Sequence, residues 1–271
     1  MQTVLAVLVL VALAAVAAQI VLARGFRAEI LSRAAALAAL PVPGPRRDLP
    51  DIVYAFARKG LADPETPPQR VILRQSALLR LKRGGKFVPL AVWQTIALGS
   101  PGFVWEAHRP GILPKIRVLD CYVEGHGRLE ARVLGSIPVA RDQGAEIDLA
   151  EAMRYLAELP WAPDAILGNP SIKWRTVGTA RVEAALDLPG GAARVTFGFD
   201  AAGDIVEVTA RDRPAGRDAE GRRAFLDWRG SFSDYREIGN RRVPMQAEVG
   251  YDYPEGYEAY YRGTVTAYSV V

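Results

Sequence analysis

The chain has 271 residues, half of them apolar and 24% charged, which suits a globular protein with a sizeable core and excludes disordered, collagenous or disulfide-stapled classes. Lys plus Arg number 34 and Asp plus Glu 30, but five bases (Arg24, Arg27, Arg33, Arg46, Arg47) fall in residues 1–47 against one acid, Glu29. Without those six, residues 48–271 carry 29 bases and 29 acids, so the basic pI gives no support to a nucleic-acid partner.

Val4 to Ala23 is a run of 20 residues whose only polar member is Gln19, enough at about 1.5 Å per residue to cross a bilayer core of about 30 Å. It reads as a transmembrane anchor whose partner is the lipid bilayer through residues 4–23. A cleaved signal peptide is the competing reading: Ala15-Val16-Ala17 suits a cleavage site, but Met1-Gln2-Thr3 lacks a basic start. Arg24, Arg27 and Arg33 follow the span, which favours a cytoplasmic soluble domain, with an exported one as the alternative. Leu31, Ala34, Ala35, Leu37 and Ala38 keep helical spacing to Leu40, where Pro41, Pro43 and Pro45 end it. That stretch is expected to be a frayed extension of the anchor rather than a basic helix lying on anionic lipid. The division is then an anchor with a basic, proline-rich linker over 1–47 and a single domain over 48–271.

Beyond the prolines the chain reads as strands. Val71 to Lys82, Lys86 to Leu98, Phe103 to His108, Ile116 to Val123 and Arg128 to Leu134 are short β-rich runs separated by glycine turns. The pattern returns with Ile172 to Val177, Ala180 to Leu188, Ala193 to Phe199, Ile205 to Ala210, Gly230 to Ile238, Arg241 to Tyr253 and Tyr257 to Val270. About ten strands in hairpin order predict an α+β fold with a strongly curved antiparallel sheet, a half-barrel.

One helix interrupts them over 148–160. Asp148 and Glu151 have the spacing of a capping box, Leu149, Ala152, Met153 and Leu156 form an apolar stripe, and Pro160 stops it. The stripe is expected to pack in the concavity of the sheet. Glu151, Arg154 and Glu158 share the other face, where spacing alone predicts solvated ion pairs. Trp161 reads first as a core plug.

The run Glu151-Ala-Met-Arg154-Tyr155-Leu-Ala-Glu158-Leu-Pro160-Trp161, preceded by Leu134-Gly135-Ser136-Ile137-Pro138-Val139-Ala140, resembles a bacterial family defined only as a domain of unknown function. Leu81-Lys82-Arg83-Gly84-Gly85-Lys86-Phe87-Val88-Pro89, Pro101-Gly102-Phe103-Val104-Trp105, Phe232-Ser233-Asp234-Tyr235-Arg236-Glu237 and Arg242-Val243-Pro244 match it as well. The resemblance spans roughly residues 49 to 270 and implies no catalytic residues; members often carry an N-terminal hydrophobic segment. In architecture, a curved sheet around a helix is also similar to the half-barrels of periplasmic lipoprotein carriers and their lipid-binding relatives, a likeness that implies fold and not function.

Signature motifs of metalloproteases, nucleotide-binding loops, dinucleotide folds and α/β-hydrolases are absent from the sequence. Cys121 reads as a buried thiol, and His108 and His126 as solvated residues beside turns. With two histidines and one cysteine, no metal site, catalytic centre or cofactor is expected. Tyr251, Tyr253, Tyr257, Tyr260, Tyr261 and Tyr268 crowd the last two strands, and strand alternation sends Tyr260 and Tyr261 to opposite faces. The leading expectation is a membrane-anchored binding module for a lipid or other apolar ligand, with Glu151, Arg154, Tyr155, Glu158 and Trp161 at its site. The alternative is an envelope-associated hydrolase using Glu151, Arg154 and Glu158. The two separate on whether those three side chains turn inward together with Arg175 or Tyr155.

Overall fold

The computed structural model describes residues 1–40, 44, 48–59, 68–111, 116–217 and 220–271. Two helices come first, α1 (Gln2–Leu37) and α2 (Asp51–Arg58). Six strands follow: β1 (Arg70–Arg80), β2 (Phe87–Ala97), β3 (Phe103–His108), β4 (Ile116–Val123), β5 (His126–Val133) and β6 (Ile137–Gln143). A helical segment comprises α3 (Ala145–Ala157), a 3-10 turn (Leu159–Trp161) and α4 (Pro163–Gly168). The rest is β7 (Lys173–Gly178), β8 (Arg181–Leu188), β9 (Gly191–Phe199), β10 (Ile205–Arg217), β11 (Arg223–Ile238), β12 (Arg241–Tyr253) and β13 (Gly256–Val270).

The 13 strands among the described residues form one antiparallel sheet in the order β6-β5-β4-β3-β2-β1-β13-β12-β11-β10-β9-β8-β7. Every neighbour is a sequence hairpin except β1 and β13, which join the two meanders. The free edges, β6 and β7, are connected in sequence only by the helical segment. Right-handed twist accumulates over so many strands and curls the sheet. α3 occupies the concavity and touches β4, β5 and β6 on one side and β8, β9 and β10 on the other.

This is the expected α+β half-barrel behind a long apolar helix, with differences that have physical causes. β6 is not among the expected strands because all but one of its seven residues are exposed, leaving no apolar face to announce it. β10 and β11 extend past Ala210 and start before Gly230, because a bulge between Ala210 and Arg213 breaks the alternation. α2 and α4 are short helices that periodicity over longer windows does not resolve.

The capping box does not form. α3 begins three residues before Asp148, whose carboxylate instead accepts the Gly127 N–H at 2.7 Å. Gly127 is needed there, since a Cβ would stand 2.6 Å from the Ile147 carbonyl oxygen.

The stretch after the apolar run is neither frayed nor lying on lipid. Phe26, Ile30 and Leu37 of α1 are buried on the convex face against Ala97, Val104, Leu119, Cys121 and Val123. At about 1.5–3 kcal/mol per large apolar side chain, this docking is a substantial tether. Glu29 pairs with Arg128 at 2.5 Å, and the Arg132 guanidinium sits 4.1 Å from the Phe26 ring centre. The helix ends at Leu37, short of Leu40; Pro41, Pro43 and Pro45 lie outside the described residues. Because α1 covers its back, β4 is buried on both faces: Leu119, Cys121 and Val123 meet α1, while Val118 and Tyr122 enter the concave core.

Candidate functional site

Between α3 and the concave face lies a cavity of about 900 Å³. Its walls are mostly apolar: Leu79 from β1, Trp105 from β3, Val118 from β4, Leu129 from β5, Val208 from β10, and Trp228 and Phe232 from β11. The charged stripe of α3 faces this space. Glu151, Arg154 and Glu158 lie within one arc of the helix together with Ile147, Ala150 and Ala157, all lining the cavity. The apolar stripe of Ala152, Met153 and Leu156 is buried on the other side. The solvated ion pairs expected from spacing are therefore internal, with Glu151 and Glu158 only 5% and 6% exposed.

Two strands complete the cluster. Asp120 occupies an inward position of β4, and its carboxylate pairs with Arg154. Arg154 Nε also donates to Glu158 Oε1 at 2.8 Å, and its guanidinium stacks 4.8 Å from the Phe103 ring centre. Gln94 on β2 donates to the other Glu158 oxygen. Arg213 on β10 approaches Glu151 at 3.6 Å, donates to Tyr251 Oη at 2.5 Å and to the Ala150 carbonyl at 3.2 Å, and lies over Trp228. Arg213 turns inward because the bulge before it shifts the parity of the strand, with Asp212 at φ 47°.

Three carboxyl groups and two guanidinium groups share this floor. Burial, then the charge of Asp120, pushes Glu151 up to about 8 against the opposing pull of Arg213 and Arg154. Burial pushes Glu158 upward as well, against the pull of Arg154, which donates to one of its oxygens while Gln94 donates to the other. The neutral form of Glu151 is thus favoured relative to that of a free carboxyl. Its Oε2 and Asp120 Oδ1 are buried acceptors with no partner when both groups are charged, and one proton between them relieves both.

The tyrosines behave differently from the expectation. Val249 pairs with Tyr261 and Gly250 with Ala259, so Tyr260 is the extra residue of a bulge. Tyr260 and Tyr261 consequently both line the cavity. Gly250 permits the distortion, as a Cβ there would stand 2.4 Å from the Glu258 carbonyl oxygen. Trp228 Nε1 donates to Tyr260 Oη at 3.0 Å, and the Tyr261 hydroxyl pairs with Gln75.

Of the residues singled out from sequence, Glu151, Arg154, Glu158 and Trp161 line the cavity and Tyr155 does not. Tyr155 follows Arg154 by about 100° around the helix. It is fully buried, with its hydroxyl on the Ala97 carbonyl and receiving the Asn169 amide at 2.8 Å. Trp161 is both plug and wall: its indole N–H donates to the Pro244 carbonyl at 2.8 Å, and its ring packs edge-on against Phe232. Arg175 is on the outside, paired with Glu183 at 3.1 Å. Asp120, Gln75 and Gln94 are not among the residues singled out from sequence, although each is a lone polar residue at an inward position of an otherwise apolar strand face, a pattern legible in the sequence. Arg213 had no such signal, since the bulge hides its parity.

A curled antiparallel sheet around one helix, enclosing an apolar cavity with a buried ionic floor, defines a half-barrel cavity protein. The chain belongs to the family of unknown function DUF6544, which matches residues 44–263. No curated protein matches it. Among solved structures it is similar to a DUF1329 family protein from Desulfovibrio piger, with 11% identity, a TM-score of 0.45, and coverage of 80% of this chain and 91% of that one. It is also similar to a LolA superfamily protein from Nitrosomonas europaea, with 6% identity, a TM-score of 0.44, and coverage of 81% and 92%.

Proposed function

We propose that the protein is a membrane-anchored binding module whose cavity takes a lipid or other apolar ligand. The observation that supports it is the mostly apolar space of about 900 Å³, near the upper end of the range of about 300–1,000 Å³ for small-molecule sites. In this reading residues 4–23 cross the bilayer, the ligand's apolar body lies against Trp105, Trp228 and Phe232, and Glu151, Arg154, Glu158 and Trp161 meet its polar end. The helix has the length and apolar composition for that span. Arg24 and Arg27 after it support a cytoplasmic domain, and protease accessibility in intact spheroplasts separates that from an exported one. Native mass spectrometry of the gently purified full chain is expected to show a mass excess that organic extraction removes. Identical masses before and after extraction, with no displacement of a fluorescent acyl-chain probe, overturn the binding reading.

The upward-shifted Glu151 carboxyl, buried on the cavity wall beside Arg154 and Glu158, supports a second reading, the envelope-associated hydrolase, in which Glu151 gives a proton and Arg154 and Glu158 position the substrate. It predicts that bound ligand is cleaved on incubation and that Glu151→Gln stops the cleavage while ligand stays bound. Recovery of intact ligand from the unaltered chain decides for binding.

A further inference from the structure

In an antiparallel meander successive turns alternate between the two rims of the sheet, so the turns β1–β2, β5–β6 and β12–β13 share one rim. The cavity reaches that rim at Leu81, Lys82 and Arg83 in the first of these turns and at Tyr253 and Glu258 beside the last. α1 reaches the same rim. Its docked half runs antiparallel to β5, from Leu37 beside Gly102, past Glu29 at Arg128 and Phe26 at Arg132, to Ala23, which abuts Gly135 in the β5–β6 turn. Preceding residues 4–22 project beyond the sheet from there, in one unbroken helix.

The rim also has the composition of a lipid-facing surface. Leu81 is 67% exposed and Ile137, at the end of the β5–β6 turn, 54%. Lys82 and Lys86 share the β1–β2 turn with Leu81, and Arg24 and Arg27 stand where α1 meets the sheet; none of these four has an ion pair among the described residues. Exposed aliphatic tips among unpaired bases fit the interface of an anionic bilayer, where the tips enter the headgroup region and the bases meet phosphates.

We propose that this rim lies on the bilayer that holds residues 4–23, with Leu81 and Ile137 in its interface, so that the cavity opens directly onto the membrane. The inference rests on the anchor reading and deepens it. A rigid continuation of the anchor along β5 sets the tilt of the half-barrel, and an amphiphile leaving the adjoining leaflet enters past Leu81 without crossing bulk water.

The test uses the full chain in vesicles of phosphatidylglycerol and phosphatidylethanolamine, with an environment-sensitive fluorophore on Leu81→Cys, Ile137→Cys or Val177→Cys. Val177 is exposed beside the β7–β8 turn on the opposite rim, and buried Cys121 supplies a silent background. The labels at positions 81 and 137 are expected to shift to the blue and lose most of their intensity to a spin-labelled lipid, while that at 177 does neither. Chain that floats with the vesicles but reports water at both 81 and 137 overturns the orientation alone. Chain that does not float overturns the anchor, and the orientation with it. Circular dichroism of each labelled variant, matched to the parent, excludes misfolding as the cause.

Discussion

Arg154 is the residue on which the cavity floor turns, because it is the shared partner of Asp120 and Glu158. Arg154→Ala would leave two buried carboxylates without a countercharge, and a loss of about 3–5 kcal/mol is expected in urea melts. Adding Asp120→Asn and Glu158→Gln to that variant should recover part of the loss; an unchanged midpoint for the single variant would mean that the cluster contributes nothing to folding. Glu151 tests the same floor through pH. Its carboxyl is raised from 4.5 to about 8, so between those values the folded chain binds more protons than the unfolded one. That contribution is complete below the lower value and is lost as pH rises toward the upper one, at up to about 1.4 kcal/mol per pH unit. Glu151→Gln should flatten the decline on the alkaline side, as read from chemical-melt midpoints across pH 5 to 8.

At the scale of elements, the docked half of α1 is the least expected contact, and Cys121 reports on it. Burial, the largest influence, pushes the thiol up to about 11, and α1 covers it. Ile30 is 2% exposed in that interface. Ile30→Asp would bury an unpaired charge unless the helix lets go, so release is the cheaper response. Cys121 in this variant is expected to react with an aromatic disulfide reagent at least tenfold faster than in the parent, with strand content by circular dichroism retained. An equal rate would show that α1 is not what protects the thiol. Beside this contact Glu130 has no exposed side-chain area, yet it is held down at about 2: burial opposes its charge, and hydrogen bonds from Arg128, Arg132 and Arg141 outweigh that. The β4–β6 part of the sheet thus carries its own charge network on the face that α1 crosses.

Across the whole molecule, α3 is the one long helix inside the curl among the described residues, and it bridges the strands of both meanders. Leu156 is completely buried at the middle of its apolar stripe. Leu156→Asp places an unpartnered carboxylate there at a cost of several kcal/mol, comparable to the total stability of many domains. A single cooperative loss of the strand signal at room temperature is expected by circular dichroism. A variant that keeps its parent's melting curve would mean that the sheet holds its curvature without the helix. The long connection from β6 through α3 and α4 to β7 is what makes this arrangement closed: the edges of the sheet are tied by the element that fills it.

Local chemistry made much of this legible. Alternation and glycine turns disclosed twelve of the strands, several to the residue, because those strands have one or two apolar faces and tight turns. The apolar run, the α3 stripe and the family likeness in Glu151 to Trp161 were likewise determined by the sequence alone. Tertiary structure decided the rest, for a common reason: whether a face meets water is a property of what stands opposite it. The polar stripe of α3 reads the same whether it faces solvent or a walled cavity, and only the curl of the sheet makes it internal. Arg213 and Tyr260 owe their inward direction to bulges, which change parity by one residue without changing composition. β6, polar almost throughout, becomes a strand by pairing with β5, and the second half of α1 becomes core by docking on β4. Sequence periodicity sets which residues share a face; the fold alone sets what that face touches.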